Sequence, residues 1–316
     1  MIFVKFNSID RVENINLMKN SEYKKASLCA SKWVITEKID GSNFSLIIER
    51  NNPHFDIARR NDVLHEGEDM WTINAGKDRF NYVVECIREY MNDEWSEFDQ
   101  INLFGEWFGK GIMKRVFYGD HYYYRFFNAV GVKGNIVVPL EFRELHRFID
   151  RYHLNDHFVP ILGYADSYEQ AVQYKNDMPS TISPIGSIME GIVIEPYDVR
   201  THFKVKSKNE LYSERKNHPQ PVKIVGDGVE KLHQIFLQYI TINRMYTIFS
   251  KNGYPVNGVN EASKYLRAFI KDAFDDFIKD NPQFEGVVEQ RDRRYITNAG
   301  SEGFKLFSQA LKDLAE

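Results

Sequence analysis

Cysteine is scarce: Cys29 and Cys86 are the only two in 316 residues. Two thiols are too few for a disulfide scaffold or a structural zinc site, and they suit a reducing cytosol. No apolar run approaches the roughly 20 residues that cross a bilayer, so no membrane-spanning helix and no membrane partner are expected. The opening MIFVKFNSID has neither a long apolar stretch nor a small-residue cleavage site. No signal peptide is therefore expected, and the expected location is cytoplasmic. A large excess of charge is missing too, with 41 Lys+Arg against 45 Asp+Glu and a net charge of −4. Proteins that coat nucleic acid non-specifically are usually strongly basic, although a local basic groove is compatible with this total. The nine histidines form no HExxH pattern. Gly105-Glu106-Trp107-Phe108-Gly109-Lys110-Gly111 has one residue too few between its first two glycines for a phosphate loop, and Gly111 stands where Ser or Thr should ligate magnesium. Gly226-Asp227-Gly228 lacks the third glycine of a dinucleotide fingerprint.

What is present is an ordinary globular balance, 43% hydrophobic and 27% charged, which excludes a disordered chain. The length suggests about two domains. Strands are expected at 32–38, 44–50, 54–60, 101–107, 123–132, 188–195 and 202–207, from their aromatic and β-branched content. Phe80, Val83, Val84, Ile87 and Met91 carry helical spacing. Pro139 suits the first turn of a helix reaching Tyr152, and Ser167 with Gln170 suits a capping box. Strands and helices mixed without a βαβ rhythm predict an α+β fold with antiparallel sheets. A Pro/Gly-bearing stretch, Asn217–Gly228, reads as a linker. Beyond it Leu232, Ile235, Phe236 and Tyr239, then Tyr265, Phe269, Ala273 and Phe277, then Phe304, Phe307, Ala310, Leu311 and Leu314, follow helical spacing. The expected domains are therefore 1–228 and an all-α 229–316.

Glu37-Lys38-Ile39-Asp40-Gly41-Ser42-Asn43 ends a strand in a lysine and follows it with an Asp-Gly turn. Alone, K-x-D-G is a weak pattern, and Asp-Gly is an ordinary turn pair. Four further segments follow in order. Phe104–Ile112 places Glu106 before glycine turns, and Tyr124–Asn128 is an aromatic strand. Met189–Ile194 puts Glu190 at the head of a very apolar strand. Phe203-Lys204-Val205-Lys206 carries two lysines on one strand face, which Lys208 continues if the strand does.

This set resembles the covalent nucleotidyltransferases, which include polynucleotide ligases and mRNA capping enzymes. The Gly-Ser-Asn-Phe-Ser continuation after Asp40, the segment Phe104–Ile112 and the helical C-terminus resemble most the T4 RNA ligase 2 family of ATP-dependent RNA ligases, which includes the kinetoplastid RNA-editing ligases. Asp40 departs from the His common at that position in the family, and Asn128 departs from an expected Asp. The resemblance implies a nucleotidyltransferase (ATP-grasp-like) domain followed by a small all-α domain. It implies joining of 3′-OH and 5′-phosphate RNA ends through lysyl-AMP. The alternatives are a DNA ligase or a capping guanylyltransferase, which normally carry an OB-fold of short strands after the last motif. From another class, the alternative is an inactive nucleic-acid-binding protein.

The resemblance implies Lys38 as nucleophile, Lys204 and Lys206 as cations on the α-phosphate, and Glu106 at the ribose. It also implies Phe127 stacked on adenine and Glu37 accepting from the adenine amino group. Asn43 and Arg60 would position phosphate and strand ends, with Arg59 the alternative to Arg60. Glu190 is the expected magnesium-associated carboxylate, holding Lys38 by charge before ATP binds. The implied cofactors are ATP as substrate and Mg2+, and the implied partner is RNA, as nicked duplex or bridged ends. The chemistry has a physical demand. A lysine of ordinary pKa, about 10.4, is only roughly 0.04% neutral at pH 7. A cation about 5 Å away costs its charged form roughly 3 kcal/mol, about two pKa units. Lys110, Lys114 and Arg115, then Arg125, then Arg291, Arg293 and Arg294, offer basic clusters for an RNA surface.

Overall fold

Strand formation follows the period-two pattern. Trp33 and Ile35 point to one side, where they join Ile192, Ile194 and Val205 in a buried cluster, and Thr36 and Lys38 are left on the other. The computed structural model describes residues 1–65, 67–113, 115–212, 228–284 and 290–315. In chain order the elements are β1 (Asp10–Arg11), α1 (Ser21–Cys29), β2 (Trp33–Lys38), β3 (Ser42–Glu49), β4 (Phe55–Arg59), α2 (Asn81–Asn92), β5 (Gln100–Gly109), β6 (Tyr122–Lys133), β7 (Ile136–Pro139), α3 (Phe142–Tyr152), β8 (Ile161–Ala165), α4 (Tyr168–Ala171), β9 (Gly191–Pro196) and β10 (Val205–Lys208). Helices follow: α5 (Gly228–Phe236), α6 (Ile242–Asn252), α7 (Ala262–Asp280), α8 (Gln290–Ile296) and α9 (Gly300–Ala315).

The strands form two five-stranded sheets, ordered β1-β10-β9-β2-β8 and β4-β3-β5-β6-β7. Apart from the short parallel pair of β1 with β10, the pairings are antiparallel. The fold is α+β, as the mixed strand and helix order implied. In the second sheet Phe44 packs against Phe80 and Phe126, with ring centroids 5.4 and 5.5 Å away. The chain crosses from the first sheet to the second at Ile39, Asp40 and Gly41, between β2 and β3. The K-x-D-G segment is thus the joint between the sheets.

Two expectations are corrected. Pro139 ends β7 rather than starting a helix, since it has no N–H to continue the ladder. The helix starts at Phe142, with a capping box between Glu141 and Glu144. The chain separates into units Met1–Asn209 and Glu210–Glu316, and the Leu211 carbonyl accepts from Asn243 of α6, tying that stretch to the helical unit. The linker residues 217–227 lie outside the described residues. The helical unit has its own core, including Phe236, Tyr239, Phe249, Tyr265, Phe269, Phe277 and Phe307. Phe304, expected on an apolar face, is exposed.

Candidate active site

β2 ends in Lys38, whose Nζ pairs with Oε2 of Glu190. Gly191, the first residue of β9, lies opposite both Lys38 and Lys208 in the sheet register. A Cβ on Gly191 would stand 2.2 Å from the Ser207 carbonyl oxygen, and its φ is +154°. Glycine is what lets β10 come so close. That approach brings Lys208 Nζ to 2.8 Å from the second carboxylate oxygen of Glu190. Glu190 is 1% exposed. Burial alone would raise its carboxyl, but Lys208, Lys38 and Arg115 outweigh burial and hold it well below the usual carboxylate range.

Two residues past Lys38, the Asp40 carboxylate is 2% exposed and accepts from Arg115, with Nε at 2.9 Å and Nη2 on the other oxygen. The Asp40 backbone N–H donates to the Tyr118 hydroxyl at 3.0 Å. Gly41 presses the joint onto β5: a Cβ there would meet the Trp107 carbonyl oxygen at 2.5 Å. Glu106 of β5 comes into electrostatic reach of Lys38, Glu190, Asp40 and Arg60. Burial pushes it up to about 8; Lys38 and Arg60 oppose the rise, while Glu190 and Asp40 add to it. Asn43 lies opposite Glu106 in the β3–β5 register, and its Nδ2 donates to the Gly105 carbonyl at 3.4 Å. Arg60 donates to the Ser8 hydroxyl, whereas Arg59 is tied to Asp62 at 3.0 Å.

Phe127 owes its direction to a β-bulge. Phe126 pairs with Gly105 and Asn128 with Phe104, which leaves Phe127 as the extra residue. A bulge re-aims a side chain, and here it turns Phe127 away from the core that Phe126 fills. Phe127 lines a cavity of about 440 Å³ with Arg125, Ile161, Thr181 and Ile182, within the roughly 300–1,000 Å³ of small-molecule sites. The Phe6 ring packs edge-on against it, 5.0 Å between centroids. Glu37 faces away from Lys38 along β2, and its carboxylate accepts from the Ser180 hydroxyl and from Thr181 N and Oγ1, the latter at 2.9 and 2.6 Å. It anchors one wall of the same cavity.

The sequence profile of the RNA ligase family matches residues 31–207, more than half of the chain. The chain belongs to the RNA ligase family. A second profile, the T4 RNA ligase 2 C-terminal domain, matches residues 224–302. Solved structures of an RNA ligase from Naegleria gruberi are similar to it. A variant bound to ATP and Mn is 19% identical over 66% of this chain and 56% of that one, with a TM-score of 0.47. The complex with PPi is 20% identical over 66% and 57%, with a TM-score of 0.45. This RNA ligase family member thus spans little more than half the length of those proteins.

Lys204, expected as a cation on the α-phosphate, pairs with Glu195 further along the strand. Lys208 holds the place beside Lys38 instead, because β10 runs on to 208. Lys206 shares that face, opposite Val193. Arg115, expected on an RNA surface, has a side chain only 7% exposed and holds Asp40. Lys110 is exposed, and Lys114 and the Arg291 side chain lie outside the described residues. Arg293 and Arg294 are exposed, with Arg293 over the Phe274 ring at 4.2 Å. Among the described residues no three of His, Cys, Asp and Glu gather to hold a metal ion. That fits magnesium only as an ion taking one or two protein carboxylates, its shell completed by phosphate oxygens and water.

Proposed function

We propose that this family member is an ATP-dependent RNA ligase joining 3′-OH and 5′-phosphate ends of nicked or bridged RNA through lysyl-AMP. The observation that carries the reading is one buried carboxylate, Glu190, shared by Lys38 and Lys208 in a unit that also holds a cavity faced by Phe127. Glu190 keeps Lys38 in place at rest. Once Glu190 pairs with Lys208 alone, Lys38 loses the carboxylate that favours a charged ammonium. The Nζ lone pair then attacks the α-phosphorus of ATP. An N–P bond forms and the nitrogen gives up a proton to water, the bond to pyrophosphate breaks, and pyrophosphate leaves with the electron pair. Lys206 and Lys208 offset the charge on the transferring phosphate. In the second step an oxygen of the RNA 5′-phosphate attacks lysyl-AMP, the N–P bond breaks and Lys38 regains a proton. In the third, the 3′-OH attacks the activated 5′-phosphate and AMP leaves.

Phe127 stacks on adenine in this scheme, since an aromatic face costs little ordering entropy. A carboxylate offers about four acceptor sites, so Glu37 retains one for the adenine amino group. Glu106 holds the ribose, and Asn43 and Arg60 hold phosphate and strand ends. Magnesium would neutralise charge on the triphosphate and on pyrophosphate, and Glu190 would be the protein carboxylate that holds it. The helical unit positions RNA through Arg293 and Arg294, contacts suited to phosphate without sequence readout. The test is adenylation with labelled ATP followed by sealing of nicked RNA, nicked DNA and single strands side by side. Nicked or bridged RNA should be sealed best. An adduct that seals only DNA would overturn the RNA assignment.

A further inference from the structure

Glu37, directly before Lys38, and Asp40, two residues after it, are both held by segments far away in the chain. Glu37 is held by Ser180 and Thr181, and Asp40 by Arg115 and Tyr118. The two holding segments are tied to each other. The Phe117 carbonyl accepts from the Ser183 hydroxyl at 2.7 Å, and the Phe117 N–H donates to the Ser187 hydroxyl at 3.3 Å. A hydrogen-bonded bracket thus runs from Glu37 through residues 180–187 and 115–118 to Asp40, with Lys38 inside it. Its charged member is Arg115, which grips both oxygens of a nearly fully buried carboxylate. Such a fork fixes orientation as well as distance.

We propose that Arg115 is a positioning residue for the adenylation step: through Asp40 it fixes the strand end that presents Lys38 to the α-phosphate. This rests on the reading of Lys38 as nucleophile. Arg115 acts on the backbone around Lys38 and not on the nucleotide, so its loss lowers the rate of step one at saturating ATP and leaves the ATP KM near the parent's. Sealing of RNA already adenylated at its 5′ end does not need Lys38 as nucleophile, so that step depends on Arg115 much less. Arg115→Lys keeps the charge but lacks the fork, and it is expected to recover only part of the rate. Asp40→Asn combined with Arg115→Met removes the unpaired buried charge and so restores stability, but it leaves the bracket open.

The experiment measures single-turnover AMP-adduct formation against ATP concentration, and sealing of pre-adenylated nicked RNA, for the parent and four variants: Arg115→Met, Arg115→Lys, Asp40→Asn and the double variant. Thermal unfolding of each shows whether it is folded. We expect Arg115→Met to lose about 100-fold in adduct rate, the scale of a reacting group misplaced by roughly 1 Å. Its ATP KM and its sealing of pre-adenylated RNA should stay near the parent's. The double variant should be folded and still slow. A folded double variant with the parent's adduct rate would overturn the proposal, because the pair would then be simple charge compensation. So would an equal loss in both steps. A parent that forms no adduct at all would instead refute the ligase reading on which this rests.

Discussion

At the scale of single residues, the account turns on which cations stand beside which carboxylates. Lys208 and Lys204 lie on one face of neighbouring residues, yet they serve different carboxylates. We expect Lys208→Ala to cut the rate of adduct formation by about 10²–10³, the usual loss when one transition-state charge contact is removed. Lys204→Ala should leave that rate much closer to the parent's. It should still destabilise the fold, because Glu195 would remain buried without its partner; single-turnover adenylation and thermal unfolding separate the two effects. Glu106 gives a pH signature. Its folded value of about 8 lies above its ordinary 4.5, mainly through burial. Its contribution is therefore fully present below about pH 4.5 and is lost as pH rises through 8. Glu190, held low, works in the opposite sense, with stability lost only as the pH falls below the carboxylate range. Unfolding temperatures between pH 5 and 8.5 should fall for the parent, and Glu106→Gln should flatten that slope. Lys38 and Glu190 stand out in the sequence because one ends β2 and the other directly precedes β9, whereas Glu106, expected at a strand end, lies inside β5. Arg115 does not stand out, because its partner Asp40 is 75 residues away in sequence and a basic cluster reads the same whether buried or exposed. The choice of Lys208 over Lys204 depends on where β10 stops, which alternation alone does not fix.

At the scale of elements, two local irregularities set the site. The bulge in β6 aims Phe127 at the cavity, so the ring is available for stacking instead of core packing. Phe127→Ala should weaken ATP use by roughly 1–3 kcal/mol, the range for an aromatic stacked on a base. Phe127→Leu should lose less, and titration of adduct formation against ATP concentration measures both. Equal behaviour of parent and both variants would mark Phe127 as ordinary packing. The second irregularity is Gly191, where a side chain would collide with the Ser207 carbonyl. Gly191→Ala should push β10 and Lys208 away from Glu190 and slow adenylation in step with Lys208→Ala. The long strands β3, β5 and β6 were readable from their aromatic and β-branched runs. β1 is only two residues long, and β8 follows Pro160 and contains Gly163, so neither carries a pattern that a strand expectation can use. The helix α6 was also missed; its N-cap is Thr241, whose side chain accepts from Arg244 N.

At the scale of the whole molecule, the residues proposed for lysyl-AMP chemistry lie within Met1–Asn209, and Glu210–Glu316 is a unit with a core of its own. A protein ending at residue 228 is therefore expected to form the AMP adduct but to seal a nicked duplex poorly. Its RNA binding should also weaken and lose part of its salt dependence, since each lost phosphate contact removes a salt-sensitive term. Sealing assays and salt-dependent binding of the two lengths, each first shown to be folded, check this. A helical second part was readable from the change to helical periodicity after residue 228. In the same part the Leu211 carbonyl accepts from Asn243 of α6. The central claim is that Lys38 is the nucleophile in an ATP-dependent ligase. The most direct measurement is incubation with ATP labelled in the α-phosphate, followed by denaturation and peptide mapping of any covalent adduct. The account requires one AMP joined to Lys38 Nζ in the parent and none in Lys38→Ala. An adduct on another residue, or an undiminished one in Lys38→Ala, would contradict it.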